Sequence, residues 1–147
     1  PQPQWADQTP HHMLERVRQA MAQQQPLLDH SALQALQTLG GAAFVKDAVM
    51  QFLGESQGLL AALKEAVQAE DARAIASQIH ALRSSAANVG ASAVYRLCLS
   101  WREMSQDEVE REAAQRLGLL ERQFAQTRQL LLDHLATLAA SPAAMAC

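Results

Sequence analysis

Aromatic residues, glycine, proline, cysteine and a surplus of charge are all scarce in this chain, and each scarcity removes a class of protein. Aromatics make up 4% of the 147 residues against 49% apolar residues, so a core has to come from Leu, Ala, Val and Ile. Only 6 Gly and 5 Pro interrupt a sequence rich in good helix formers, which points to an all-α domain. Two cysteines, Cys98 in an apolar stripe and Cys147 at the end, give no disulfide framework and imply a reducing, cytoplasmic setting. No apolar run approaches the length of a membrane-spanning helix, and no signal-peptide pattern opens the chain. The net charge of -3 comes with scattered basic residues, so the phosphate-tracking stripe of a nucleic-acid binder is missing. The length suits one domain of ordinary size. A start at Pro1 without Met is expected of a piece cut from a larger protein, which can itself be membrane-anchored while this part makes no membrane contact.

Apolar spacing organises what is present. Residues 1–26 are expected to be a leader with one short helix, capped at Thr9-Pro10, faced by Leu14, Val17 and Met21, and ended by Gln23-Gln24-Gln25-Pro26. Residues 27–139 are expected to form the bundle, and 140–147 a disordered tail. Within the bundle, a helix capped by Ser31 carries Leu33, Leu36 and Leu39 and stops at Gly40-Gly41. A longer segment follows with Phe44, Ala48, Phe52, Leu59, Leu60, Leu63 and Val67 at helical spacing, and with Gly54 and Gly58 as candidate kinks. Glu70-Asp71 offers a cap for the next helix, whose buried stripe is expected at Ile75, Ile79, Leu82, Ala86 and Val89. Gly90 suits the left-handed position that closes a helix.

Val94, Leu97, Cys98, Trp101 and Met104 mark another helix, followed by a turn at Ser105 to Asp107. The last segment carries Val109, Ala113, Leu117, Leu120, Phe124, Leu131, Leu135 and Leu138 on one face. At roughly thirty residues it would be about 45 Å long, so it either protrudes or breaks near Gly118. The expected architecture is an antiparallel four-helix bundle with an additional N-terminal helix and a long C-terminal helix.

The chemistry concentrates at His80. It stands one position off the apolar stripe of its helix, with Ala76 and Ser77 a turn before and Arg83, Ser84 and Ala87 after it. An ordinary imidazole titrates near 6.5, so its neutral, nucleophilic form is abundant at neutral pH. Arg83 is placed to offset the negative charge of a phosphoryl group, and the Ser84 and Ser85 hydroxyls are available as donors. A surface histidine beside a solvated arginine is the plain alternative. If the helices flanking Gly90 run antiparallel, His80 lies opposite roughly Ser100 to Arg102.

The stretch His80-Ala81-Leu82-Arg83-Ser84, continuing Ser85-Ala86-Ala87-Asn88-Val89-Gly90-Ala91, resembles the histidine-containing phosphotransfer (HPt) domain. That family's pattern is His-x-Leu-Lys-Gly, then small residues, then a Leu- or Val-Gly pair. The resemblance runs over roughly Leu27 to Leu135. It implies a phosphorelay intermediate in two-component signal transduction, not an enzyme in its own right. His80 would accept a phosphoryl group from a receiver-domain aspartyl phosphate and pass it to another receiver aspartate. It also implies no cofactor and no metal on this chain, the Mg²⁺ belonging to the receiver. Arg83 would neutralise the phosphoryl charge, and Ala76, Ser77, Ser84, Ala87, Asn88 and Gly90 would form the docking face. A Gln or Glu often holds the imidazole in this family; here Arg102 and Glu103 are the candidates.

The resemblance further suggests the C-terminal module of a bacterial hybrid sensor histidine kinase. Arg83 stands where the family usually has Lys, and Ser84 where it has Gly; these departures motivate a second reading, a docking module that binds receivers without transferring phosphate. The dimerisation domain of a histidine kinase fits less well, because Ala81 rather than an acidic residue follows His80. His11-His12 near Glu15 lack converging metal ligands, and His30 and His134 are expected to be surface residues.

Overall fold

The computed structural model of the chain describes residues 26–140. The expected leader helix with Trp5, His11 and His12, and the tail with Cys147, lie outside the described residues.

Four helices account for the described chain: α1 (His30–Gln68), α2 (Ala72–Asn88), α3 (Ser92–Leu99) and α4 (Gln106–Ala139). Each starts from a local signal except α3, which has no side-chain cap. The Asp29 carboxylate accepts from the Ser31 N–H and hydroxyl at 3.0 and 2.5 Å, so Asp29 rather than Ser31 is the cap of α1. The same bonds, the Ser31 hydroxyl first, hold the Asp29 carboxyl below its usual range. Asp71 caps α2 through the Ala74 N–H at 3.1 Å. Ser105 and Glu108 form a reciprocal capping box on α4, so the expected turn at 105–107 is already the first turn of a helix.

Gly41, with φ 82° and ψ -176°, interrupts α1. Only glycine enters that region without strain, and it re-aims the chain between the two parts of α1. Gly54 and Gly58 lie in regular helix, as does Gly118 of α4; lacking tertiary demand for a bend, an isolated glycine costs helix stability without ending it. The break explains why α4, about 50 Å long, neither protrudes nor splits. The part of α1 before Gly41 lies beside the distal half of α4, where the His30 and His134 rings are 6.0 Å apart and Leu33 and Leu131 are fully buried.

Around the bundle axis each helix packs on its sequence neighbours, and α1 closes the circuit on α4. The core comprises Val45, Val49, Phe52, Leu63, Ile75, Ile79, Leu82, Val94, Trp101, Leu117 and Leu120, among others. Phe52 and Phe124 meet as a tilted pair with centroids 6.0 Å apart. The expected stripe of α2, Ile75 to Val89, is buried throughout. Leu39, expected in the α1 stripe, is 77% exposed, because it immediately precedes the break that turns the helix.

Gly90 (φ 70°) closes α2, with the Ala91 N–H bonded to the Ala86 carbonyl at 3.0 Å. The Gly90 carbonyl accepts from the Asp29 N–H at 2.7 Å, and the Leu27 carbonyl accepts from the Ala93 N–H at 3.2 Å. The start of α1 is thereby tied across the α2–α3 turn. Gln106 Nε2 makes the matching tie at the other end, donating to the Glu70 carbonyl at 2.8 Å.

His134 is half-buried rather than a free surface residue, and its Nε2 is enclosed with no hydrogen-bond partner among the described residues. Burial first, then the charge of His30, hold its pKa below the ordinary imidazole value. An unfolded imidazole titrates near 6.5, so the folded state takes up this proton less readily than the unfolded one. The contribution is whole above that value and is lost as pH falls through the lower folded value. Thermal unfolding midpoints are expected to fall as pH drops below about 6.5, and His134→Gln is expected to remove part of that fall; an identical pH profile in the variant would contradict this.

Candidate functional site

The rotation of α2 is set by its apolar stripe. With Ile75, Ile79, Leu82, Ala86 and Val89 turned inward, the residue one step past Ile79 faces solvent, and that residue is His80. Ala76, Ser77, Ser84, Ala87 and Asn88 are likewise exposed, so the surface beside the imidazole carries little bulk. Two expectations for this face change. Gly90 is buried: a Cβ there would lie 2.7 Å from the Asp29 carbonyl oxygen and 2.8 Å from the Ala32 Cβ, which makes it a packing residue. Ser85 is also buried and points to the other side of α2, where its hydroxyl donates to Glu55 Oε2 at 3.3 Å. Of the two serines that follow Arg83, only Ser84 offers its hydroxyl on the histidine face.

Arg83, one turn after His80, is half-buried and places Nη2 3.2 Å from His80 Nδ1. Its guanidinium reaches toward α3. There the buried thiol of Cys98 is pushed up to about 12 by desolvation, with Arg83 acting in the opposite direction. Nothing marks that cysteine as reactive, since a protonated, enclosed thiol is a poor nucleophile.

His80 and Arg83 share a shallow cavity of about 180 Å³ with Ala76, Ile79, Trp101, Arg102 and Glu103. The turn after α3 thus comes up beside the imidazole, as the antiparallel count implied. Arg102 and Glu103 are both exposed at its rim, and the hydrogen bond recorded for the His80 ring is with Arg83. Sequence spacing extended α3 through Met104, whereas the helix stops at Leu99 and residues 100–103 form a turn. Ser100 ends the helix by returning both its N–H (3.0 Å) and its hydroxyl (2.5 Å) to the Leu97 carbonyl. Glu103 then takes φ 58°, a left-handed conformation that costs a non-glycine residue about 1 kcal/mol or more.

Arg116 of α4 holds that turn in place. Its guanidinium donates to the Ser100 carbonyl and, at 2.6 Å, to the Glu112 carboxylate. Sequence reasoning passed over Arg116, because a contact sixteen residues away between two helices leaves no periodic trace. Glu55 was passed over for the same reason. Arg116→Ala is expected to cost about 1 kcal/mol, the pair being partly exposed. It is also expected to speed amide exchange at residues 101–104; unchanged exchange there would show that the turn holds itself.

No cluster of three or more His, Cys, Asp or Glu side chains suited to a metal ion occurs among the described residues, and no described helix is long and apolar enough to cross a membrane. The arrangement therefore offers one exposed nucleophilic ring, one cation on it, and a small-residue surface around it.

Among curated proteins none matches the sequence. Solved structures do. Histidine-containing phosphotransfer protein B (HptB) from Pseudomonas aeruginosa PAO1 is similar at 27% identity and a TM-score of 0.68, over 76% of this chain and 96% of that one. The histidine-containing phosphotransfer protein ZmHP2 from maize shares the fold at 24% identity and a TM-score of 0.67, over 85% of this chain and 98% of that one. The family model of the Hpt domain matches residues 47–141. That span is well over half of the sequence and contains the whole of the His80 helix, and on it the chain belongs to the Hpt domain family.

Proposed function

We propose that this Hpt domain is a phosphorelay intermediate in which His80 takes a phosphoryl group from the aspartyl phosphate of one receiver domain and gives it to an aspartate of another. Family membership supports histidine phosphotransfer in two-component signalling. The observation that carries the assignment to His80 is its exposure on a small-residue face, with the Arg83 guanidinium 3.2 Å from its ring. In the forward step an imidazole nitrogen attacks phosphorus, the acyl-phosphate O–P bond breaks, and the receiver's carboxylate leaves with the electron pair. Such transfers depend on positioning and charge neutralisation more than on covalent chemistry by the protein.

Ala76, Ser77, Ser84, Ala87 and Asn88 let the partner's backbone approach, and Arg83 offsets charge on the transferred group. Arg102 and Glu103, on the facing turn, share the cavity with the imidazole and are the residues positioned to meet its outer edge once a partner docks. The Mg²⁺ such a reaction needs is the receiver's own, and this chain contributes no cofactor. As a carrier it is not an enzyme; we place it in the cytoplasm, as the C-terminal module of a bacterial hybrid sensor histidine kinase.

The test is to incubate the chain with a panel of phosphorylated receiver domains and Mg²⁺ and to follow label appearing on it. Transfer from at least one receiver is expected, with a label labile in acid and stable in base. Receivers that bind without any transfer would instead favour a docking module.

A further inference from the structure

The contact between Arg83 and His80 has a consequence for which ring nitrogen carries the proton. A guanidinium is a donor only: it has five N–H groups, no available lone pair, and keeps its charge at any ordinary pH. With Arg83 Nη2 3.2 Å from Nδ1, Nδ1 must be the acceptor. A neutral imidazole has one N–H and one lone pair, so its proton is on Nε2. Nδ1 is bonded to the ring carbon that carries the side chain, and Nε2 is the far nitrogen, the one that reaches outward from an exposed histidine. In the resting domain, then, the outward nitrogen carries a proton and the lone pair is turned inward beneath Arg83. Neither nitrogen offers a free lone pair to a docked phosphoryl group.

We propose that Arg83 is a tautomer latch: it holds resting His80 as the Nε2–H form, and phosphotransfer proceeds once an incoming phosphoryl group draws the guanidinium off Nδ1. This rests on the reading of His80 as the phosphoacceptor. The ring proton then moves from Nε2 to Nδ1 through water. The freed Nε2 lone pair attacks phosphorus, the N–P bond forms as the acyl-phosphate O–P bond breaks, and the receiver's carboxylate departs with that electron pair. The ring keeps its proton on Nδ1, and Arg83, now released, pairs with the phosphoryl oxygens. An anion competes well for a guanidinium, because charge-assisted bonds are about twice as strong as neutral ones. Arginine is suited to this in a way lysine is not. Its planar, half-buried fork presents N–H groups in a fixed geometry beside Nδ1, whereas an ammonium on a flexible stem is a mobile point charge.

The experiment uses the full chain, labelled with ¹⁵N at histidine, as wild type, Arg83→Ala and Arg83→Lys, with His80→Gln to assign the ring. Two-bond ¹H–¹⁵N correlations at mildly alkaline pH read the tautomer directly. Wild type is expected to show only the Nε2–H form, and Arg83→Ala a rapidly averaged mixture of both. Transfer from a phosphorylated receiver is expected to be several-fold faster in Arg83→Lys, which keeps the charge without the latch, and slower in Arg83→Ala, which loses both. A protonated Nδ1 in wild type, or the same tautomer population in wild type and Arg83→Ala, would overturn the latch even if His80 carries the label. Label persisting in His80→Gln would overturn the phosphoacceptor reading and the latch with it.

Discussion

Label from any phosphorylated receiver is expected to fall to background in His80→Gln, while the domain stays folded. Glutamine is close to histidine in size and polarity but its amide has no nucleophilic lone pair, so there is no atom to hold the phosphoryl group. The stability side follows from exposure. His80 is solvent-facing and bonded only to the neighbouring Arg83, and exposed substitutions of this kind usually stay within about 0.5 kcal/mol. An unchanged thermal midpoint together with lost labelling therefore isolates chemistry from folding. Label retained by the variant would falsify the assignment. The alternative acceptors on the same face are hydroxyls, Ser77 and Ser84, and a phosphate ester on either would be acid-stable.

The second large effect is at Gly90. Replacing it with alanine is expected to lower stability by about 3 kcal/mol, from two sources that act together. A side chain at φ 70° costs on the order of 1 kcal/mol. The new Cβ would also press 2.7 Å from the Asp29 carbonyl oxygen and 2.8 Å from the Ala32 Cβ. Such overpacking typically adds about 1–3 kcal/mol. To relieve it the start of α1 must move away from the α2–α3 turn, which also strains the 2.7 Å Asp29–Gly90 backbone bond. Urea denaturation is the direct measure, with the midpoint shifted at constant slope; the thermal midpoint should drop by roughly 10 °C. A loss below about 0.5 kcal/mol, the usual range for surface substitutions, would mean that the turn accommodates a side chain after all. Gly90 lies nearly three turns from His80 on α2, so in protein that remains folded, transfer should be far less affected than in His80→Gln.

Where the sequence was read correctly, the information was local. The spacing Ile75, Ile79, Leu82, Ala86, Val89 defines a face, and a face defines which residue stands beside it. Asp71 and Gly90 bracket α2 because a carboxylate caps a helix start and a left-handed glycine ends one. The misreadings share a different cause. The Gly40-Gly41 pair, where α1 breaks, was legible as a stop, but nothing within a few residues tells whether the single glycines Gly54, Gly58 and Gly118 break a helix or let it run on. Packing of α1 against the far half of α4 makes that choice, and it is also what leaves Leu39 outside the core.

His80 itself shows the same division. Sequence by itself determined that an all-α chain would present this histidine on a small-residue face of a capped helix, with a cation one turn later, because period, caps and i, i+3 neighbours are properties of a single helix. Tertiary structure decided the rest. It turned Ser85 inward to Glu55, buried Gly90 under Asp29, brought the strained turn at Glu103 beside the ring through Arg116, and left Arg83 half-buried. Each of these depends on which helix lies against which, and only the folded chain contains that information.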